Sequence, residues 1–206
     1  MDSMQFTVTI SPQSGYEVVE LQDQISGAQV QLYSLGALLN AYVIPTKTGT
    51  INGIDGFSSI NDAIANATAG FKSSKLSPFV CRLQHGKYSF DQKEYKIEGF
   101  YLGEHAIHGL LFNAPFTVTD TKTTASEASV TFSHHYKGTD PGYPFPFTLH
   151  VKWKLTSGNT LQVFTTATNN HSSAIPFSDG WHPYFSVGDT IDTATLSFTS
   201  NKQLEF

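Results

Sequence analysis

The sequence predicts an all-β protein, organised as one large antiparallel β-sandwich over residues 1–206. The first observation is period-two alternation, clearest in residues 147–155, where every odd position is apolar and every even position is polar. This pattern is typical of a strand with one buried face and one wet face. The second observation is an abundance of threonine and of aromatic residues, which favour pleated surfaces; the aromatics make up 13% of the chain. The third is turn chemistry between the alternating runs, with no low-complexity linker or internal repeat to divide the chain.

Eleven runs along the chain are predicted as strands. Two dipeptides, His85-Gly86 and Asp91-Gln92, are predicted as hairpin turns, and residues 157–159 supply the turn before the tenth run. In chain order the predicted strands are 5–10, 16–22, 28–35, 79–84, 87–90, 93–98, 116–121, 127–136, 147–155, 160–168 and 194–199.

Two segments fall outside the strand pattern. Residues 59–67 predict the one helix, with Ser58 or Ser59 as its N-cap. Residues 137–146 are rich in proline and glycine, which also suits a polyproline ligand. Because strong strands flank this segment directly, we interpret it as a structured loop between two strands.

The predicted sheet lacks a natural last strand. The run at 195–199 is followed by only seven residues, and a sheet that stopped there would leave an open edge. We therefore expect the domain to be incomplete at its C-terminus and the natural chain to continue.

Composition excludes several classes of function. The net charge is −5, with 11 lysines and the single arginine Arg82, so a nucleic-acid partner is disfavoured. One cysteine, Cys81, excludes an internal disulfide framework and a multi-cysteine zinc site. The start of the chain has no secretory pattern, and no apolar stretch approaches the ~20 residues that span a bilayer. We expect a cytoplasmic protein with no membrane partner.

The residues most able to carry chemistry are two of the eight histidines, one arginine and one tryptophan. His182 follows Trp181 in a run of aromatic residues, and rings beside a polar donor suit a sugar. A buried aromatic cluster with one satisfied histidine is the alternative. His108 stands before a glycine, and Arg82 lies in an apolar run where its planar head could bind ligand oxygens. The histidines form no metal-ligand pattern, so no metal site is expected.

Four motifs, in order, resemble the aldose 1-epimerase (galactose mutarotase) family. The resemblance as a whole covers most of residues 25–200, and its four motifs are 78–91 (PFVCRLQHGKYSFD), 105–109 (HAIHG), 141–146 (PGYPFP) and 180–185 (GWHPYF). The resemblance implies a galactose mutarotase-like supersandwich that binds a free hexose and uses no cofactor. It implies an isomerase of carbohydrate metabolism that interconverts the α and β anomers of glucose or galactose by acid–base ring opening.

The resemblance also assigns roles to residues. His182 matches the general acid, His108 the second histidine, and Arg82 the substrate-binding arginine, with Trp181 beside them as a further sugar contact. Cys81 stands where the family has an asparagine before the arginine, which puts one hydroxyl contact in doubt. The family's general-base glutamate comes from strands after the 180–185 motif, and no segment of this chain resembles them.

Two alternatives stay open. One is a non-catalytic carbohydrate-binding sandwich that keeps Arg82, His108 and Trp181 as ligand contacts. The other is a hexose-6-phosphate 1-epimerase, which the single arginine disfavours because a phosphate dianion needs several cationic groups. The expected partner is a small-molecule hexose, and the sequence indicates no oligomeric state.

Overall fold

The protein is described by a computed structural model over residues 5–188, 190–192, 194–200 and 202. Apart from the short helix α1 (Ile60–Asn66), its regular elements are mainly strands. They are β1 (Phe6–Gln13), β2 (Tyr16–Asp23), β3 (Gln29–Tyr33), β4 (Leu38–Thr46), β5 (Gly49–Asn52), β6 (Ser74–Leu76), β7 (Arg82–Leu83), β8 (Lys87–Phe90), β9 (Lys93–Lys96), β10 (Tyr101–Leu102), β11 (His105–Ile107), β12 (Thr117–Thr123), β13 (Glu127–Tyr136), β14 (Phe147–Thr156), β15 (Thr160–Asn169) and β16 (Gly180–His182).

Two antiparallel sheets form the sandwich that the sequence predicts. One has the strand order β1-β2-β3-β4-β5 and the other the order β12-β13-β14-β15. Strands β1 and β2 pack on β13 and β14, and the apolar side chains between them form one core. In β14 the odd positions are buried and the even positions are partly exposed, which confirms the alternation. Burial of one face of each sheet drives this arrangement.

The helix and the turns at Asp91-Gln92 and 157–159 follow from local chemistry as predicted, but the predicted hairpin turn at His85-Gly86 is wrong, because β7 pairs with β11 and β8 pairs with β9. Asp91 and Gln92 have φ of 48° and 60° and join β8 to β9 as a two-residue hairpin. Residues 157–159 turn β14 into β15. Ser59 caps α1 by accepting a hydrogen bond from the Asp62 amide at 3.1 Å.

The predicted strand at 194–199 is wrong. Residues 194–200 lie in the described part of the chain and form no strand there. Leu196 and Phe198 are 84% and 76% exposed, so no strand or core among the described residues buries their alternating side chains. The predicted strand at 79–84 is also shorter, because Cys81 has a φ of 53° and only Arg82–Leu83 remain extended.

A small ribbon and a small sheet hold the segments that carry the motifs. The ribbon pairs β16 with β6, and the sheet has the order β10-β11-β7. An isolated bridge between Ser77 and Gly109 connects the end of β6 to the turn after β11. Residues far apart in sequence therefore meet at one place. Within the described residues, no helix is long and apolar enough to cross a membrane.

Candidate active site

A tight turn after β11 places His108 beside Arg82. His108 has a φ of 63°, and its amide donates a hydrogen bond to the Cys81 carbonyl at 2.8 Å. The β7–β11 pairing sets Arg82 opposite Ile107, the residue before His108. The Arg82 segment and the His108 segment are thus joined by backbone pairing rather than by side chains.

Gly109 makes this turn possible, and we expect Gly109→Ala to lower the free energy of unfolding by more than about 2 kcal/mol. Its φ is 79°, and a Cβ at this position would lie 2.3 Å from the Ser77 carbonyl oxygen. Gly158→Ala is the matched control, because Gly158 has a φ of 76° with nothing within 4 Å of its Cβ position. Urea unfolding of both variants separates backbone strain from close approach. Equal losses would contradict the close-approach argument.

The ribbon of β6 and β16 places His182. His182 pairs with Ser74 across the ribbon, and its carbonyl accepts a hydrogen bond from the Ser73 amide at 2.9 Å. Side chains alternate along a strand, so His182 and Trp181 point to opposite faces of the ribbon.

The two histidine rings lie side by side. Their centroids are 4.8 Å apart, with an angle of 61° between the ring planes. Phe71 packs edge-on against His108 at 4.6 Å, and Tyr184 lies 5.5 Å from His182. His108 is 8% exposed, so the aromatic packing removes most of its ring from water.

Burial lowers the pKa of His108 from 6.5 to about 4, and the nearby charges of His182 and Arg82 act in the same direction. His108 is therefore neutral near pH 7. Among the described residues, no aspartate or glutamate carboxylate lies within ion-pair distance of either ring. The pair thus has one neutral histidine, and no carboxylate in the part of the chain that the structure describes is in direct contact with it.

We expect the free energy of unfolding to fall as the pH drops from about 6.5 to about 4. In that range the unfolded chain binds a proton at His108 that burial excludes from the folded chain. The loss is about 3 kcal/mol at about 1.4 kcal/mol per unit of pKa. Urea unfolding across this range should show a shallower slope in His108→Asn, since asparagine does not titrate and tolerates a positive φ. An unchanged slope in that variant would contradict the low pKa.

Arg82 is exposed, and no carboxylate of the described residues lies within 4.0 Å of it as an ion pair. Trp181 is partly buried, and its ring packs 5.3 Å from that of Trp153. Packing against Trp153 thus covers part of the Trp181 ring, and a contact between Trp181 and a sugar stays a prediction.

Lys75 is the residue that the sequence analysis missed. Its side chain is 0% exposed, and its Nζ donates to Asp179 Oδ2 at 2.5 Å and to the Gly180 carbonyl at 3.3 Å. The ammonium also lies 4.3 Å from the centre of the Trp181 ring. Burial lowers the pKa of Lys75, and Asp179 opposes that shift. All three contacts are with the residues just before His182.

The remaining histidines lie outside this pair. His134 and His135 bond through Nδ1 to the Pro115 carbonyl and to the Thr148 hydroxyl. Across the described ranges, no group of three histidine, cysteine, aspartate or glutamate side chains could hold a metal ion.

A model of the aldose 1-epimerase family matches residues 17–206. A comparison with curated proteins found no match. Among solved structures, a galactose 1-epimerase from Lactobacillus acidophilus NCFM is similar, with a TM-score of 0.72 and 18% identity over 89% of this chain and 53% of that one. A GalM/aldose epimerase homologue from C. elegans has a TM-score of 0.68 and 20% identity, over 88% of this chain and 51% of that one. A galactose mutarotase-like protein from Clostridium acetobutylicum has a TM-score of 0.72 and 19% identity, over 88% of this chain and 54% of that one. The TM-scores show a shared fold and no more, and this chain spans about half the length of each of these structures.

Proposed function

Because the chain belongs to the aldose 1-epimerase family, we propose that it acts in the interconversion of the α and β anomers of a free hexose. The observation that supports this most directly is the contact between the His108 and His182 rings, 4.8 Å apart. Ring opening of a hexose moves two protons, one from the anomeric hydroxyl and one to the ring oxygen. A histidine can move such a proton near neutral pH.

The two histidines have different roles in this proposal. His108, with a pKa of about 4, is neutral and can hydrogen-bond to the ring oxygen and to neighbouring hydroxyls. A base takes the proton of the anomeric hydroxyl while His182 gives a proton to the ring oxygen, so the bond between C1 and the ring oxygen breaks and the open-chain aldehyde forms. The C1–C2 bond rotates, and the ring closes with the opposite configuration by the reverse transfers, which return the protons to His182 and to the base. The exposed Arg82 holds sugar hydroxyls with its planar set of donors.

A second candidate function rests on the surroundings of the pair. The reaction needs a carboxylate base for the anomeric proton, and none of the described carboxylates is within ion-pair distance of either ring. A carbohydrate-binding sandwich needs no such base and would hold the sugar without catalysis. Arg82 and His108 then serve as ligand contacts only.

Polarimetry of freshly dissolved α-D-glucose and α-D-galactose, with and without the protein, tests both functions. A faster approach to the equilibrium rotation supports the epimerase. Sugar-dependent shifts of the histidine ring signals in NMR, without a faster rotation, support the binding module. If the protein does not speed the change in rotation of either sugar, and neither sugar shifts the histidine ring signals, both proposals fail for these hexoses.

A further inference from the structure

A polar groove crosses the outer face of the five-stranded sheet, over β2, β3 and β4. Its volume is about 250 Å³. Two cross-strand rows of side chains line it: Glu20, Gln31 and Ala41 form one row, and Gln22, Gln29 and Val43 form the next. Side chains alternate along a strand, and Leu21 and Val30 between these positions are buried in the core, so both rows face away from it. The described residues that line the groove lie outside the segments that carry His108 and His182.

Buried hydrogen bonds orient the amide of Gln31. A β-bulge in β4 makes Asn40 an extra residue, and Asn40 is only 6% exposed. Its Oδ1 accepts a hydrogen bond from the Phe57 amide at 2.7 Å, so its Nδ2 is the donor to Gln31 Oε1 at 2.8 Å. The Tyr33 hydroxyl donates to the same oxygen at 3.1 Å. Because both contacts hold the carbonyl oxygen, the NH₂ group of Gln31 lies on the groove side, 3.5 Å from Glu20 Oε1.

The rest of the groove combines a second held amide with an apolar floor. Gln24 donates to Gln22 Oε1 at 2.9 Å, which leaves the NH₂ group of Gln22 as a donor. Ala41 and Val43 are both partly exposed on the same face. Ala41 lies opposite Gln31 in the pairing of β3 with β4, and its small side chain leaves the space between the polar groups open.

These groups suit a small, neutral ligand that carries hydroxyls. A hydroxyl can donate to the Glu20 carboxylate and accept from the glutamine NH₂ groups at the same time. Among the described residues that line the groove, none is a lysine or arginine to bind an anion such as phosphate, and none is an aromatic residue to stack on a base. The volume is below the roughly 300–1,000 Å³ of sites for drug-sized ligands, so one sugar ring is the appropriate size.

We propose that this groove is a second binding site, for a single neutral sugar ring. Glu20 accepts a hydrogen bond from one hydroxyl, the NH₂ groups of Gln31 and Gln22 donate to others, and the apolar floor contacts the C–H face of the ring. The site binds without catalysis. It is separate from the proposed epimerase centre and does not depend on that function.

The test uses methyl α-D-glucopyranoside and methyl α-D-galactopyranoside, whose rings are locked, so that binding is measured without turnover. Side-chain ¹H–¹⁵N amide signals of the full chain report on each glutamine separately. Either sugar should shift the signals of Gln22 and Gln31, with a Kd on the order of 1 mM for so small a ligand. The signal of Gln162, which is exposed on β15 in the other sheet, should not move.

Gln31→Glu is the decisive variant. Glutamate keeps an oxygen for Asn40 and Tyr33 but replaces the NH₂ donor, so the Kd measured at Gln22 should rise by at least about tenfold, roughly the effect of one ordinary hydrogen bond. Ala41→Leu fills the floor on the exposed face and should abolish the shifts. Gln162→Ala is the matched control on a strand of the other sheet, and its Kd should equal that of the wild type.

The absence of shifts at Gln22 and Gln31 at sugar concentrations well above this Kd would overturn the proposal. So would an unchanged Kd in folded Gln31→Glu, or equal shifts at Gln162, since the effect would then be a general response to dissolved sugar. Shifts confined to the His108 and His182 rings would support the proposed function and refute the second site. Shifts confined to the two glutamines would support the second site, whatever polarimetry shows.

Discussion

Replacing His182 with alanine should slow the catalysed mutarotation of α-D-glucose and α-D-galactose by about a hundredfold to ten-thousandfold, the range for one positioned acid or base. The proposed reaction takes its ring-oxygen proton from this side chain. The neighbouring His108 cannot replace it, because its pKa of about 4 leaves it unprotonated near pH 7. Polarimetry, or exchange spectroscopy of the anomeric protons, measures the rate.

The control for His182→Ala is His150→Ala. His150 is partly exposed on β14, at an even position of the strand and away from the core face. Its removal should leave the rate unchanged. Far-ultraviolet circular dichroism shows whether each variant is folded. A folded His182→Ala protein with wild-type rate would remove His182 from the mechanism. A protein that does not fold would instead support the interpretation of His182 as a core residue.

The main sheets could be predicted because their burial is periodic. In β14 the core lies on one side only, so apolar and polar residues alternate in the sequence just as buried and partly exposed positions alternate in the structure. Strand β4 was missed for the opposite reason. Its first three residues, including the polar Asn40, are all buried and show no alternation. The three-residue strand β16 carries no periodic pattern at all, and pairing with β6 defines it.

The site was predicted from motifs, and its geometry was not. Nothing in the spacing of His108 and His182 indicates that their rings meet, since the contact depends on the ribbon and on the turn at Gly109. The burial of Lys75 could not be predicted from the sequence either. A lysine between Ser74 and Leu76 resembles any exposed lysine in sequence, and its partner Asp179 lies 104 residues further along the chain.

Lys75→Ala should lower the free energy of unfolding by about 3–5 kcal/mol, the cost of breaking a buried ion pair by removing one partner. The substitution leaves Asp179 without its ammonium, and it leaves a space beside Trp181. The carboxylate of Asp179 is 25% exposed, so water recovers part of the loss and favours the lower end of this range. Urea unfolding near pH 7 measures the effect, and the exposed Lys93→Ala should change stability by less than about 0.5 kcal/mol.

Lys75→Met separates charge from packing. Methionine fills much of the same volume, so if the lysine mainly fills space, this variant should be close to wild type in stability. If the ion pair is what holds the strand that carries His182, Lys75→Met should be destabilised nearly as much as Lys75→Ala.

Asp179→Asn adds the second half of a double-mutant cycle, in which a coupling energy near zero would contradict an energetic role for the pair. We expect a clear coupling, because the ammonium is fully buried and its one charged contact is Asp179 within the described residues. The strand that positions His182 would then depend on a lysine whose side chain is fully buried beneath it.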